Sequence, residues 1–186
     1  EVRRIKGHQI LIGECGHASR SAKAFLPSFN SGGDIPVVNI LELTAQLLKD
    51  GRIELDPTAI GEKVTYHDPC NIARSGWVVN QPRDIIRSFI GDFAEMSPAG
   101  RHNLCCGGGG GTVSVNELKP YRMDTAGRKK AEQLRATGAD VVITPCANCK
   151  KQIGELITHY KLPMRHAGLH DLIFTAIIMK NQGRTD

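Results

Sequence analysis

Six cysteines dominate what this sequence can do chemically. Cys105 and Cys106 are adjacent, and Cys146 and Cys149 form a C-x-x-C. Thirty-four residues separate Cys70 from the adjacent pair, and 39 separate that pair from Cys146. Neighbouring cysteines rarely pair with each other because a disulfide between them is strained. Thiolates are soft ligands that select iron–sulfur clusters, zinc or copper(I), so metal ligation is the expected chemistry. Structural zinc takes four ligands in a tetrahedron, commonly from two C-x-x-C knuckles, and an ordinary cubane cluster takes four thiolates. Five cysteines exceed either count. The set therefore reads as an unusual cluster, or as four ligands plus one reactive thiol.

Five consecutive glycines, Gly107 to Gly111, follow the Cys-Cys pair. Glycine lets the backbone approach a ligand closely and adopt positive φ. Successive N–H groups, from Gly107 and Gly108 first, can then face cluster sulfurs and stabilise negative charge. A flexible linker does not ordinarily begin on Cys-Cys. A phosphate loop fits poorly, because no Gly-Lys-Ser/Thr follows and Thr112 runs into Val113.

The elements that must position these groups follow from the hydrophobic pattern. Short apolar runs at His8–Gly13, Pro36–Ile40, Lys63–His67 and Ala139–Thr144 predict strands, with a further short strand inside Met96–Leu104 and another near Met164–His166. Helices are predicted over Ser19–Phe25, Leu41–Lys49, Pro82–Phe89, Tyr121–Thr137 (closed by Gly138), Lys150–Tyr160 and Leu169–Lys180, with Asn30–Asp34 a loop. Strands alternating with helices imply an α/β architecture with a largely parallel sheet. In such a sheet the loops after the strand C-terminal ends gather on one edge, so three distant groups of cysteines are expected to converge there.

Composition narrows the function classes. The chain has 186 residues, 40% hydrophobic and 23% charged, which is ordinary for a globular protein. Its longest apolar run, Leu172–Met179, is too short to span a bilayer. The net charge of +5 is scattered, and no aromatic motif interleaves with the basic residues, so nucleic-acid binding is not expected. No basic-plus-apolar leader is present and the first residue is Glu1. A fragment or processed piece in a reducing, cytoplasmic setting is the expectation.

An internal repeat supports that view. Ile10–Phe25 (ILIGECGHASRSAKAF) aligns with Val141–Leu156 (VVITPCANCKKQIGEL), placing Cys15 on Cys146 and Ala18 on Cys149. Ile35-Pro36-Val37 likewise aligns with Leu162-Pro163-Met164. Residues 1–60 thus read as the C-terminal part of a degenerate first module, and residues 61–186 as a complete one.

HDPC at His67–Cys70, CCGGGGG at Cys105–Gly111 and TPCANC at Thr144–Cys149 together resemble the CCG module. This cysteine-rich domain occurs in the B and D subunits of heterodisulfide reductase and related iron–sulfur oxidoreductases. HDPCNIARSGW and GECGHA are similar to the K subunits of the sulfite-reductase-linked membrane (Dsr) complex. The resemblance implies an α/β parallel-sheet CCG module with a partial N-terminal repeat of the same module. It implies that Cys70, Cys105, Cys106, Cys146 and Cys149 hold a noncubane [4Fe-4S] cluster. It implies an oxidoreductase that reduces or forms S–S bonds, in a heterodisulfide or in a protein trisulfide or dithiol. The implied partners are other subunits of an electron-transfer complex, at the periphery of a membrane, and a disulfide-, trisulfide- or thiol-bearing substrate. The first copy lacks its own CCG segment, so a second cluster is not expected in this chain.

Among the remaining residues, Cys15 is an extra ligand, a substrate-reactive thiol or a buried inert cysteine. His17 and His67 are candidates to donate protons during S–S cleavage, against structural roles for both. Asp68 is expected to cap a turn, Asn148 to cap a helix and Trp77 to pack. Two competing functions stand beside the first: an iron–sulfur electron-transfer subunit of a 2-hydroxy-acid or glycerol-3-phosphate dehydrogenase, and a zinc-binding structural module.

Overall fold

Val141, Val142 and Ile143 form a strand whose residues are all buried, although they alternate between two faces. Val141 and Ile143 join Tyr66, Ile85, Phe89 and Leu169 on one side. Val142 joins Leu134, Ile153, Cys106, Cys146 and Cys149 on the other. A strand covered on both faces requires a continuous apolar run, and that is what ADVVIT supplies. Three of the thiols, Cys106, Cys146 and Cys149, therefore belong to one of the two hydrophobic layers.

A computed structural model describes residues 10–29 and 35–179. The expected loop Asn30–Asp34, the first two residues of the expected first strand, His8 and Gln9, and Lys180 at the end of the expected last helix lie outside the described residues; the observed last helix ends at Ala176. Among the described residues the chain runs β1 (Leu11–Gly13), α1 (Gly16–Phe25), β2 (Val37–Asn39), α2 (Ile40–Lys49), β3 (Val64–Tyr66), α3 (Cys70–Ala73), α4 (Asn80–Arg87) and β4 (Phe93–Ala94). It continues through α5 (Lys119–Tyr121), a π-helical stretch (Arg122–Gly127), α6 (Arg128–Thr137), β5 (Val141–Ile143), α7 (Ala147–His159), β6 (Arg165–Ala167) and α8 (Leu169–Ala176). The strands form two parallel sheets, β1-β2 and β4-β3-β5-β6. This is the α/β parallel architecture that the alternating pattern predicts.

The two aligned stretches fold alike. Ile10–Lys49 and Val141–Ala176 are each a parallel strand–helix–strand–helix unit. Cys15 and Cys146 occupy the same place in each, the extended N-cap residue before α1 and before α7. Asn39 starts α2 with a capping box. Its side chain accepts from the Leu41 N–H at 3.0 Å, and Glu42 accepts from the Asn39 N–H at 2.7 Å.

Three local expectations are corrected. The continuous helix over Tyr121–Thr137 is a π-helical stretch followed by α6. There the chain must wrap around Gly107 and Gly127, whose absent side chains let Arg122 and Leu156 pack close. The short strand expected inside Met96–Leu104 is β4, three residues earlier, and Gly100–His102 is a turn of 3-10 helix. Trp77 does not pack inside: it is 64% exposed, with the Arg101 guanidinium 3.5 Å from its ring centre.

One buried ion pair ties the loop after β3 to its surroundings. Arg83 donates to both Asp68 carboxylate oxygens, at 2.9 and 2.8 Å, and also to Glu95 at 2.7 and 2.9 Å. Removing one member leaves an uncompensated charge in a site where the Asp68 side chain is 1% exposed. Arg83→Met is expected to lower stability by about 3–5 kcal/mol, read from the shift in a urea unfolding midpoint.

Candidate metal centre

Each cysteine group sits at the C-terminal end of a strand or in a segment tied to one. Strand β3 ends at Tyr66, and His67-Asp68-Pro69 leads directly into Cys70, the first residue of α3. Strand β5 ends at Ile143, and Thr144-Pro145-Cys146 leads into α7, with Cys149 on its first turn. Cys105 and Cys106 have no strand of their own. They are held by Asp68, whose carboxylate accepts from the Gly100 N–H at 2.7 Å and whose carbonyl accepts from the Asn103 side chain. Arg74 adds bonds to the Arg101 carbonyl at 3.0 Å and the Asn103 carbonyl at 2.6 Å.

These ties bring the five thiols together. Cys70, Cys105, Cys106, Cys146 and Cys149 line one small cavity, with His17, Pro69, Asn71 and Asn148 at its walls. Cys106 Sγ lies 3.3 Å from Cys149 Sγ. Cys105 Sγ accepts from the Gly107 N–H at 3.3 Å. Cys106, Cys146 and Cys149 are buried, Cys70 is half-buried and Cys105 is exposed. His67, 1% exposed, brings a ring nitrogen within 4.8 Å of the Cys106 and Cys149 sulfurs, and neither of its nitrogens has a hydrogen-bond partner.

The thiols share protons unequally. Hydrogen bonds from Cys106 and Cys70 hold the Cys105 thiol far below its usual range, aided by the Gly107 N–H. A hydrogen bond from Cys149 and the backbone N–H groups of Cys149 and Asn148 pull Cys146 down to about 5. The latter groups are the open N–H donors at the start of α7, where the helix dipole favours negative charge. Cys70, Cys106 and Cys149 are pushed up, chiefly by hydrogen bonding to neighbouring thiols and then by burial. The five sulfurs thus form one hydrogen-bonded network in which Cys105 and Cys146 give up a proton more readily than Cys70, Cys106 and Cys149, and a metal must displace the protons that remain.

The first glycines of the run turn their N–H groups to cysteine sulfurs, Gly107 to Cys105 and Gly108 to Cys106, and they also have a packing role. Gly107 has φ +90°, and a Cβ on it would lie 3.1 Å from the Arg122 carbonyl. A Cβ on Gly108 would lie 2.8 Å from Cβ of Gln152. Both glycines let the chain turn tightly against α7 and the π-helical stretch, while the Gly107 N–H still faces a cysteine sulfur.

Several other residues take positions the sequence did not reveal. Asp68 anchors Arg83 and Gly100 instead of capping a turn. Asn148 lines the cavity, and Cys146 is the residue that precedes α7. Cys15, half-buried, hydrogen-bonds Cys146 and stands 3.9 Å from His17 Nδ1. Asn71 Nδ2 lies 2.9 Å from His17 Nε2. Lys130 is fully buried, with its ammonium on the Met96 sulfur at 3.7 Å and on the Gln133 side-chain oxygen. Sequence hides it inside the basic triplet Arg128-Lys129-Lys130. The available signal is its place one turn before Leu134, on the apolar stripe of α6.

Five thiols closing on one point, beside an unpartnered buried imidazole, suit a soft metal or a cluster of them. Residues 64–154, which carry all five, match the cysteine-rich domain known as CCG. The chain carries a CCG domain. It is 34% identical over 171 residues to the B subunit of the fumarate reductase (CoM/CoB) of Methanothermobacter marburgensis, covering 91% of this chain and 31% of that protein. It is 28% identical to the D subunit of the dihydromethanophenazine:CoB–CoM heterodisulfide reductase of Methanosarcina mazei, covering 95% of this chain and 43% of that protein. It is 26% identical to the Hdr-like menaquinol oxidoreductase iron-sulfur subunit of Archaeoglobus profundus, covering 96% of this chain and 39% of that protein. The chain spans less than half the length of each of these relatives. No described helix is long and apolar enough to cross a membrane.

The geometry of the CCG domain generates two expectations. Gly108→Ala is expected to cost about 1–3 kcal/mol in thermal or urea unfolding, because Gln152 cannot retreat without moving α7. In metal-free, reduced protein near pH 7, limiting iodoacetamide is expected to label Cys105 first and Cys106 and Cys149 last, read by peptide mass mapping.

Proposed function

We propose that this CCG domain holds a noncubane [4Fe-4S] cluster on Cys70, Cys105, Cys106, Cys146 and Cys149. We infer that it serves as an oxidoreductase module for S–S bonds within a multisubunit electron-transfer complex. The observation that carries this reading is the gathering of five thiols from three separated segments around one cavity. The relatives named as heterodisulfide reductase and iron-sulfur subunits support it. Partners on this reading are the other subunits of such an assembly, at the periphery of a membrane, and a disulfide, trisulfide or thiol substrate. Residues 1–60 are the tail of a degenerate first module, a reading supported by the matching βαβα units.

When bound, such a cluster supplies an iron that takes a substrate sulfur and electrons for S–S cleavage. Two electrons and two protons convert one S–S bond into two thiols; the reverse reaction returns them. Cys106, Cys146 and Cys149 hold the buried side of the centre, and Cys105, the exposed thiol, marks the side that a substrate reaches. His17 faces that cavity and is placed to move a proton. Accepting from Asn71 at Nε2 leaves its proton on Nδ1, directed at Cys15 Sγ. Cys15 lies beside Cys146, where a reactive thiol can meet a bound sulfur. Burial and the Lys130 charge push the His67 imidazole well below its usual range, which favours its neutral form behind the thiols. Gly107 contributes its N–H at Cys105.

The test is metal analysis of protein purified without oxygen. About four irons with acid-labile sulfide per chain are expected. Cys105→Ser and Cys106→Ser are expected to lose most of that iron, while Ala147→Ser keeps it. About one zinc and no iron per chain would establish the zinc module instead. Unchanged iron in both cysteine variants would overturn the ligand assignment.

A further inference from the structure

Lys130 carries a charge that its immediate surroundings do not balance. It is 0% exposed, and its ammonium meets only a thioether, Met96 Sδ at 3.7 Å, and the neutral amide oxygen of Gln133. Among the described residues no carboxylate forms an ion pair with it. Asp68, the nearest acidic group by electrostatic influence, already accepts both nitrogens of Arg83. A buried ammonium without a paired anion is costly and persists only where a surrounding field favours it. Ligation would supply that field here, because a bound metal would take the protons from Cys106 and Cys149 and leave thiolates in the layer that contains Met96. Burial pulls the Lys130 ammonium down to about 8, and charge on Cys106, Cys149, Asp68 and Cys105 works against that loss.

Two elements of the fold place the lysine there. Helix α6 presents Ala131 and Leu134 to the same hydrophobic layer that contains Cys106, Cys146 and Cys149. Gln133 holds the ammonium from one side while donating to the Pro98 carbonyl at 2.7 Å from the other. The cation is therefore held on Met96, a member of the same buried layer as Cys106, Cys146 and Cys149. A charge in that position, shielded from water and salt, acts on whatever negative charge the thiols carry.

We propose that Lys130 is the buried counter-charge of the cysteine centre, setting its reduction potential by favouring the more negative, reduced state. It is a positioning residue for charge and touches no substrate. The proposal rests on the cluster reading above and deepens it. Were Lys130 merely filling space, a methionine of similar length would serve as well.

The experiment measures midpoint potential by an EPR-monitored redox titration of anaerobically purified Lys130→Met, Lys130→Arg and Gln133→Glu proteins, each with its iron content determined. Lys130→Met, with iron retained, is expected to shift the midpoint to lower potential, and Lys130→Arg to leave it near the wild-type value. Gln133→Glu keeps the lysine and cancels its charge with a carboxylate, so it too is expected to lower the potential, and it decides the matter if Lys130→Met fails to take up iron. An unchanged potential in an iron-replete Lys130→Met or Gln133→Glu protein would overturn the proposal. If wild-type protein takes up no iron, the cluster reading fails separately. The counter-charge is then read in metal-free protein from the pH titration of thiolate absorbance. Lys130→Met is expected to move that titration to higher pH; coincident curves would refute the role of Lys130.

Discussion

The carboxylate of Asp68 holds the centre together. It is a single buried group that accepts from Arg83 on α4 and from the Gly100 backbone, while the Asp68 carbonyl receives Asn103. Through these bonds the segment entering Cys70 is fastened to the segment entering Cys105 and Cys106. The third segment needs no such clamp, because β3 and β5 are hydrogen-bonded neighbours in the sheet. Two of the three cysteine groups are thus aligned by backbone register and the remaining one by a charge-assisted network. An irregular loop can deliver two adjacent ligands to a fixed point only if something of this kind restrains it, since its chain entropy is otherwise large.

The two hydrophobic layers divide the labour around this clamp. One, with Tyr66, Phe89 and Leu169, secures the sheet and the helices α4 and α8. The other includes three of the cysteines among its members, so the packing that stabilises α6 and α7 also sets the depth of the thiols. A buried thiol is then disposed to keep its proton unless a hydrogen bond or helix terminus favours the thiolate, as it does at Cys146. Protonation, packing and ligand geometry are in this way properties of one layer.

Much of the architecture was legible in the sequence because it rests on short-range signals. The runs at Val64–Tyr66 and Val141–Ile143, the Gly138 stop and the positions of the C-x-x-C and Cys-Cys pairs all follow from local patterning. The repeat alignment also paired Cys15 with Cys146, and both precede a helix in matching units. What escaped depends on contacts between segments far apart in the chain. The π-helical turn at Arg122–Gly127 answers to close packing against Gly107 and Leu156, which no window around Tyr121 contains. Lys130 escaped because it stands in a basic triplet whose other two members, Arg128 and Lys129, are exposed. Trp77 looked like core by residue type, yet it stands outside in a left-handed conformation at φ +61° under a guanidinium.

The uneven burial of the five sulfurs has a consequence for handling the molecule. Four corners of the cavity are wrapped by protein to differing degrees, while Cys105 opens to solvent. On the proposed function, the opening that would admit a sulfur compound would equally admit dioxygen and peroxide. Damage would begin at that corner, where the thiolate is most exposed and most reactive, and would travel inward along the sulfur chain. On the same reading, a neighbour seated over Cys105 would bar substrate and oxidant alike, so shelter and turnover would alternate in time.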